Sequence, residues 1–113
     1  MLWKVWAVEP DPWARVAAGV NAAANGVALS FEPGAPEVVL CGDVFYGPQV
    51  AAAVMPVLDD FRARGIRVLV GDPGRADLPL DRLVKLAEVT VRDMGDGPGK
   101  VTACGIYDYR PDL

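Results

Sequence analysis

The chain has 113 residues, 52% of them hydrophobic and 23% charged, a balance that supports one folded domain with one core and leaves no polar tract to stay disordered. Eleven basic against fifteen acidic residues give a net charge of −4, which argues against a surface built for a phosphate backbone, so nucleic acid is not an expected partner. Cys41 and Cys104 stand without a CxxC spacing and without any histidine, so neither a zinc site nor a Cys-His pair is expected, and no metal.

The segment 2–8 (LWKVWAV) is rich in tryptophan and valine and predicts a strand that stops at Glu9-Pro10. Asp11 can cap a helix with Pro12 in its first turn, and Trp13, Val16, Ala17 and Val20 recur at helical spacing before Asn25-Gly26 ends it. A short second strand is expected over 27–31, a turn over 33–36, and a buried parallel strand over 38–41, left at Gly42 and Asp43. From 49 to 64, Val50, Val54, Val57, Leu58 and Phe61 make one helical stripe, which Pro56 should kink or divide and Gly65 should close. A further buried strand is expected over 66–70, followed by the tight loop 71–75, a short helix over 80–86 and two strands, about 88–93 and 100–107. Those last strands flank the glycine-rich turn 95–99 and should pair as an antiparallel hairpin.

Strands alternating with helices and ending in a hairpin describe an α/β fold, a Rossmann-like, mostly parallel sheet with a C-terminal antiparallel hairpin. Ligands bind such sheets beyond the carboxyl ends of the strands. Three polar segments fall at those ends: Glu9 to Asp11, Gly42 to Tyr46 and Gly71 to Arg75. No run approaches the ~18 apolar residues of a membrane-spanning helix, and the first residues lack a basic head and a cleavage site. A soluble, cytoplasmic chain with reduced cysteines and no membrane partner is therefore expected.

The segments VWAVEPDPWA (5–14), NAAANGV (21–27), VVLCGDVFY (38–46) and VLVGDPGRADLP (68–79) carry a resemblance, in that order. The chain resembles the class I S-adenosylmethionine-dependent methyltransferases of the D-x-x-Y lysine methyltransferase family, which includes electron-transfer flavoprotein beta-subunit lysine methyltransferase and its bacterial relatives. Asp43-Val44-Phe45-Tyr46 fits the D-x-x-Y signature after the family's fourth strand, and Gly71 to Arg75 fits the loop after its fifth. The chain departs from the family at Gly47, where bacterial relatives carry aspartate, and in a shortened stretch over 30–36. It also lacks, ahead of Leu2, the family's first, central strand and G-x-G-x-G loop. The resemblance therefore implies a partial, N-terminally truncated class I methyltransferase domain over 1–113, with strand edges left for another polypeptide or for a second copy in a homodimer.

By that resemblance the cofactor is S-adenosyl-L-methionine and the partner a protein substrate offering a lysine side chain. Glu9 would accept hydrogen bonds from the ribose hydroxyls, with Glu32 near the adenine and Gly42 on the cofactor side. The bland alternative is that Glu9 and Asp11 only start the following helix. Asp43 and Tyr46 would be catalytic, Asp43 orienting the amine and Tyr46 walling the lysine channel; alternatively Asp43 caps the next helix and Tyr46 fills a strand-helix corner. Phe45 and Arg75 would lie on the substrate side, although Phe45 also suits inward packing and Arg75 could pair with Asp72 or Asp77. Trp3, Trp6 and Trp13 are read as core. The implied activity is protein-lysine N-methylation. One competing reading is a non-catalytic remnant, or half of a split enzyme, acting as an interaction module; another is a nucleotide-binding Rossmann domain of a different kind, which leaves Asp43 to Tyr46 unexplained.

Overall fold

The computed structural model describes residues 4–32, 34–92 and 99–112. The chain divides into two compact units, Met1–Pro36 and Glu37–Leu113, and every buried hydrophobic residue among those described belongs to the second. Leu2, Trp3 and the turn residues 95–98 lie outside the described residues.

In the first unit the helix begins as its sequence demands. Helix α1 (Pro12–Ala24) is capped by the Asp11 carboxylate, which accepts from the Trp13 N–H at 3.0 Å, and Gly26 follows it in the left-handed region at φ 67°. Its apolar stripe is not a core face: Trp13 is 82% exposed, and Val16 and Val20 are exposed too. The expectation that Trp13 packs inside is thereby corrected. Among the described residues, the two expected strands, 2–8 and 27–31, show one parallel bridge between Trp6 and Ser30. There the Ala7 N–H donates to the Ser30 carbonyl at 2.8 Å and the Ser30 N–H to the Val5 carbonyl at 3.2 Å. Trp6 is half-buried against the Gly34 backbone, where any side chain would meet its ring.

The second unit is built on a four-stranded sheet. Strand β1 (Val38–Gly42) pairs in parallel with β2 (Arg67–Asp72), and the hairpin strands β3 (Leu83–Arg92) and β4 (Val101–Tyr109) pair antiparallel. The last strand inserts between β2 and β3, giving the order β1-β2-β4-β3. Three strands thus run one way and β4 runs against them, which is the Rossmann-like, mostly parallel sheet with an antiparallel ending read from the sequence. Strand β1 lies at the sheet's edge and is not the buried strand expected: Val38 is exposed and Leu40 is 74% exposed.

Helix α2 (Pro48–Ala63) stays one helix through Pro56. The pyrrolidine removes one N–H from the ladder, yet Ala51 on one side and Leu58 on the other are both buried, so packing holds the helix together across the gap. Gly65 closes it at φ 78°. The expected helix over 80–86 is a single 3-10 turn, Leu80–Arg82, which passes directly into β3 at Leu83. Cross-strand pairing with β4 decides these residues against their helical spacing.

Phe45, Ala51, Leu58, Val68, Val70, Leu78, Leu83 and Tyr109 form the core. The Tyr109 hydroxyl leaves that core by donating to the Asp59 carboxylate at 2.6 Å, which Arg82 also holds, tying α2 to the hairpin. Deleting a buried leucine loses transfer energy and leaves a cavity. Leu58→Ala is therefore expected to lower the unfolding free energy by about 2–5 kcal/mol, whereas Val20→Ala on the exposed face of α1 should cost less than about 0.5 kcal/mol. Urea unfolding of both variants checks the contrast, and equal losses would contradict the division between buried and exposed apolar residues.

Candidate functional site at the carboxyl ends of the strands

Because β1 and β2 are parallel and in register, with Gly42 opposite Gly71, the residues that follow them leave the sheet at the same level. The Asp43 N–H donates to the Gly71 carbonyl at 2.9 Å, which extends the pairing by one step. Asp43 then adopts φ 49°, the only positive value among described residues other than glycine. Aspartate tolerates this region better than most residues, but the conformation still carries a cost that marks functional turns.

The loop after β2 is set by Asp72, which is 1% exposed. Its Oδ2 accepts from the N–H groups of Gly74 and Arg75, both at 2.7 Å. Pro73 presets the turn, and Gly74 supplies the φ of 99° that it requires. The turn points Arg75 back across the strand ends, where Nε donates to Asp43 Oδ1 and Nη2 to Oδ2, each at 2.8 Å. Such a two-pronged guanidinium-carboxylate contact is the strongest geometry an ion pair offers. The hydrogen-bonded Arg75 guanidinium holds the Asp43 carboxyl below the usual carboxylate range, with a smaller opposing effect from desolvation. Arg75 is shifted upward in return. About half of each side chain stays open to solvent.

The neighbouring residues divide by direction. Phe45 is completely buried in the core and anchors the segment, so its ring packs inward and is not presented to solvent. Tyr46 is 64% exposed beside it and does not fill a corner. The N-cap of α2 is Gly47 without a side-chain hydrogen bond, so Asp43 does not cap that helix. Gly42 faces open space. Burial pushes the Cys41 thiol up to about 11, which makes it a poor nucleophile. The partner of Arg75 is neither Asp72 nor Asp77 through its side chain, as the sequence suggested, but Asp43, 32 positions away. Only the parallel register of the two strands could have disclosed it.

In the first unit Glu9 and Glu32 both follow the Trp6–Ser30 bridge, and since that bridge is parallel they leave it at the same end. Glu9 is half-buried. Its Oε1 accepts from the Asp11 N–H at 3.1 Å, and its backbone carbonyl accepts from Arg15 Nε. Glu9 thus supports the start of α1 through one oxygen only. Glu32 is exposed, and its N–H donates to Ser30 Oγ at 3.2 Å.

No family model matches the chain. It is 30% identical, over 95% of its own length, to the electron transfer flavoprotein beta subunit lysine methyltransferase of Rattus norvegicus, and 28% identical over 96% to that of Mus musculus. Among solved structures, a Streptococcus pneumoniae protein described as a tRNA (m1A22) methyltransferase aligns over 95% of the chain with a TM-score of 0.56 and 16% identity. The chain shares the fold of that structure. It spans about half the length of the curated relatives it matches, 48% in both cases, and covers 53% of the aligned structure.

The Asp43–Arg75 pair has a consequence for acid stability. A carboxyl held below its unfolded value contributes stability that is present above the unfolded pKa, about 3.9, and lost as pH falls through the lower folded value. Because the pair is half exposed, solvent screening keeps the contribution small. Asp43→Asn is expected to lose less stability than the unaltered chain between about pH 6 and about pH 2.5, as read by urea unfolding at each pH.

Proposed function

We propose that the chain is the substrate-facing part of an S-adenosylmethionine-dependent protein-lysine N-methyltransferase. The observation that carries this reading is Asp43: a carboxylate in a left-handed turn at a strand's carboxyl end, held at both oxygens by Arg75, with the exposed ring of Tyr46 three residues on. The likeness to two lysine methyltransferases over nearly the whole chain supports it.

S-adenosylmethionine, when bound, supplies a methyl group on a positively charged sulfur. Glu9 suits the ribose end, because Oε1 is committed to Asp11 and Oε2 meets no donor among the described residues. Its half-buried position favours a fixed carboxylate over a mobile one. Asp43 would accept a hydrogen bond from the substrate amine and so aim the nitrogen lone pair. Asp43 would hold the amine while it accepts the methyl group, and the proton the amine then sheds would pass to solvent. Tyr46 would favour the positive charge at the site through its ring, worth about 0.5–2 kcal/mol. Gly42 would lie on the cofactor side, and a side chain added there would meet open space. Phe45 contributes by anchoring the turn from within the core, not by touching substrate.

The reading is tested by methyl transfer from S-adenosylmethionine to the electron transfer flavoprotein beta subunit, with bulk tRNA as the competing acceptor. Asp43→Ala should lower transfer by about 100-fold or more and leave cofactor affinity within about twofold, while Glu9→Ala should weaken cofactor binding by about tenfold through the lost hydrogen bonds. Calorimetry and a radiolabelled methyl assay read the two effects. The opposite pattern would refute the assigned roles, and labelling of tRNA alone would replace the substrate class.

A second reading follows from β1, an edge strand of the described sheet. Such an edge can accept a strand from another polypeptide, so the chain could serve as an interaction module or as half of a split enzyme. Failure of S-adenosylmethionine to bind the isolated chain, with binding restored by a complementing chain, would favour it.

A further inference from the structure

Asp72 is buried and makes no hydrogen bond to Asp43 among the described residues, yet it shapes the turn that carries Arg75. It is 1% exposed and spends Oδ2 on two backbone N–H groups, those of Gly74 and Arg75. Its Oδ1 is buried and meets no hydrogen-bond donor among the described residues. A buried carboxylate oxygen without a donor is unfavourable for folding, so fold stability alone is a poor account of this residue. A loop shape imposed on a reactive neighbour is a better one.

We propose that Asp72 is a positioning residue: by fixing the turn Asp72–Arg75 it sets the guanidinium of Arg75 across both oxygens of Asp43, and so presents Asp43 as a charge-neutralised acceptor for an uncharged amine. The inference rests on the reading of Asp43 as the residue that meets the substrate amine. Its geometry is a relay of three residues. Asp72 Oδ2 holds the Arg75 backbone at 2.7 Å, the Arg75 side chain holds Asp43 at 2.8 Å twice, and the Asp43 N–H is tied to Gly71 at 2.9 Å, next to Asp72 in the chain. The loop is closed on itself, so a shift at Asp72 reaches Asp43 by both routes.

Neutralisation matters because methyl transfer needs a free nitrogen lone pair. A bare carboxylate beside an amine stabilises the ammonium form, which has no lone pair to give. With the guanidinium in place the pair carries no net charge, and Asp43 can still accept a hydrogen bond through lone pairs that Arg75 does not use. The charged group that bears on Asp43 is Arg75, and those that bear on Arg75 are Asp43 and Asp72.

The test is a carbon-13 NMR titration of the Asp43 carboxyl in the unaltered chain and in Arg75→Met, Asp72→Ala and Asp72→Asn, with folding confirmed by thermal unfolding. The unaltered chain should titrate below the ordinary carboxylate range, and Arg75→Met should return Asp43 to it. Asp72→Ala should move Asp43 at least half as far, although no hydrogen bond joins the two side chains among the described residues, and Asp72→Asn, which keeps an acceptor oxygen, should stay near the original value. If Asp72→Ala does not fold, Gly74→Ala disturbs the same turn from its φ of 99° without altering Asp72 and must also move Asp43. A folded Asp72→Ala or Gly74→Ala chain with Asp43 unmoved would overturn the relay. These titrations need no turnover. Absence of methyl transfer to any acceptor, with Asp43 moving as expected, would sink the functional reading and leave the relay standing; transfer with Asp43 unmoved would do the reverse. Where transfer is present, Asp72→Ala should raise by about one unit the pH at which the rate reaches half its maximum, a change that loss of stability alone would not produce.

Discussion

The candidate site depends on a single constraint, the in-register parallel pairing of β1 with β2. Parallel strands end at one level, and whatever follows them must turn away over the same rim. Gly42 and Gly71 face each other at the last paired step, and both strands then hand the chain to an aspartate. One aspartate is buried and shapes a loop; the other is half exposed and receives that loop's arginine. Two identical side chains take opposite roles because one lies under the sheet's covered face and the other beyond its end.

The core beneath fixes this rim in space. Phe45, two residues after Asp43, is wholly buried, and Val68 and Val70 lead β2 to Asp72 through the same interior. The segment bearing Asp43 is therefore nailed down immediately after its strained turn, which is how a residue at φ 49° can persist. Tyr46 comes next and points out, so burial alternates with exposure over two adjacent aromatic residues. Neither the strain nor the alternation would survive if Phe45 were free to leave the core.

Much of this was legible in the sequence, and the limits of that legibility have physical causes. Asp11 and Pro12 set the start of α1, and Gly65 the end of α2, because capping and backbone freedom are local chemistry. The segment Gly71 to Arg75 announced its turn for the same reason. The residues 80–86 misled because leucine and valine at helical spacing also suit a strand, and the pairing that decided between them comes from β4, about twenty positions on. Pro56 misled in the other direction: a local defect was outvoted by burial on either side of it. The Asp43–Arg75 pair lay beyond any local rule, since it joins residues 32 apart and exists only through strand register.

The chemistry of the rim follows from how charge is arranged rather than how much is present. A chain of net charge −4 has carboxylates to spare, and an unpaired one at Asp43 would attract cations without distinguishing a protonated amine from any other. Pairing with Arg75 removes that long-range attraction and leaves directional hydrogen bonding, which acts only at contact distance. What remains selective is shape: two planar groups locked edge to edge, an exposed phenol three residues along the chain, and no side chain on Gly42. An acceptor of this kind discriminates by where a donor sits, and that is the property needed when the reacting nitrogen has to arrive uncharged and in line.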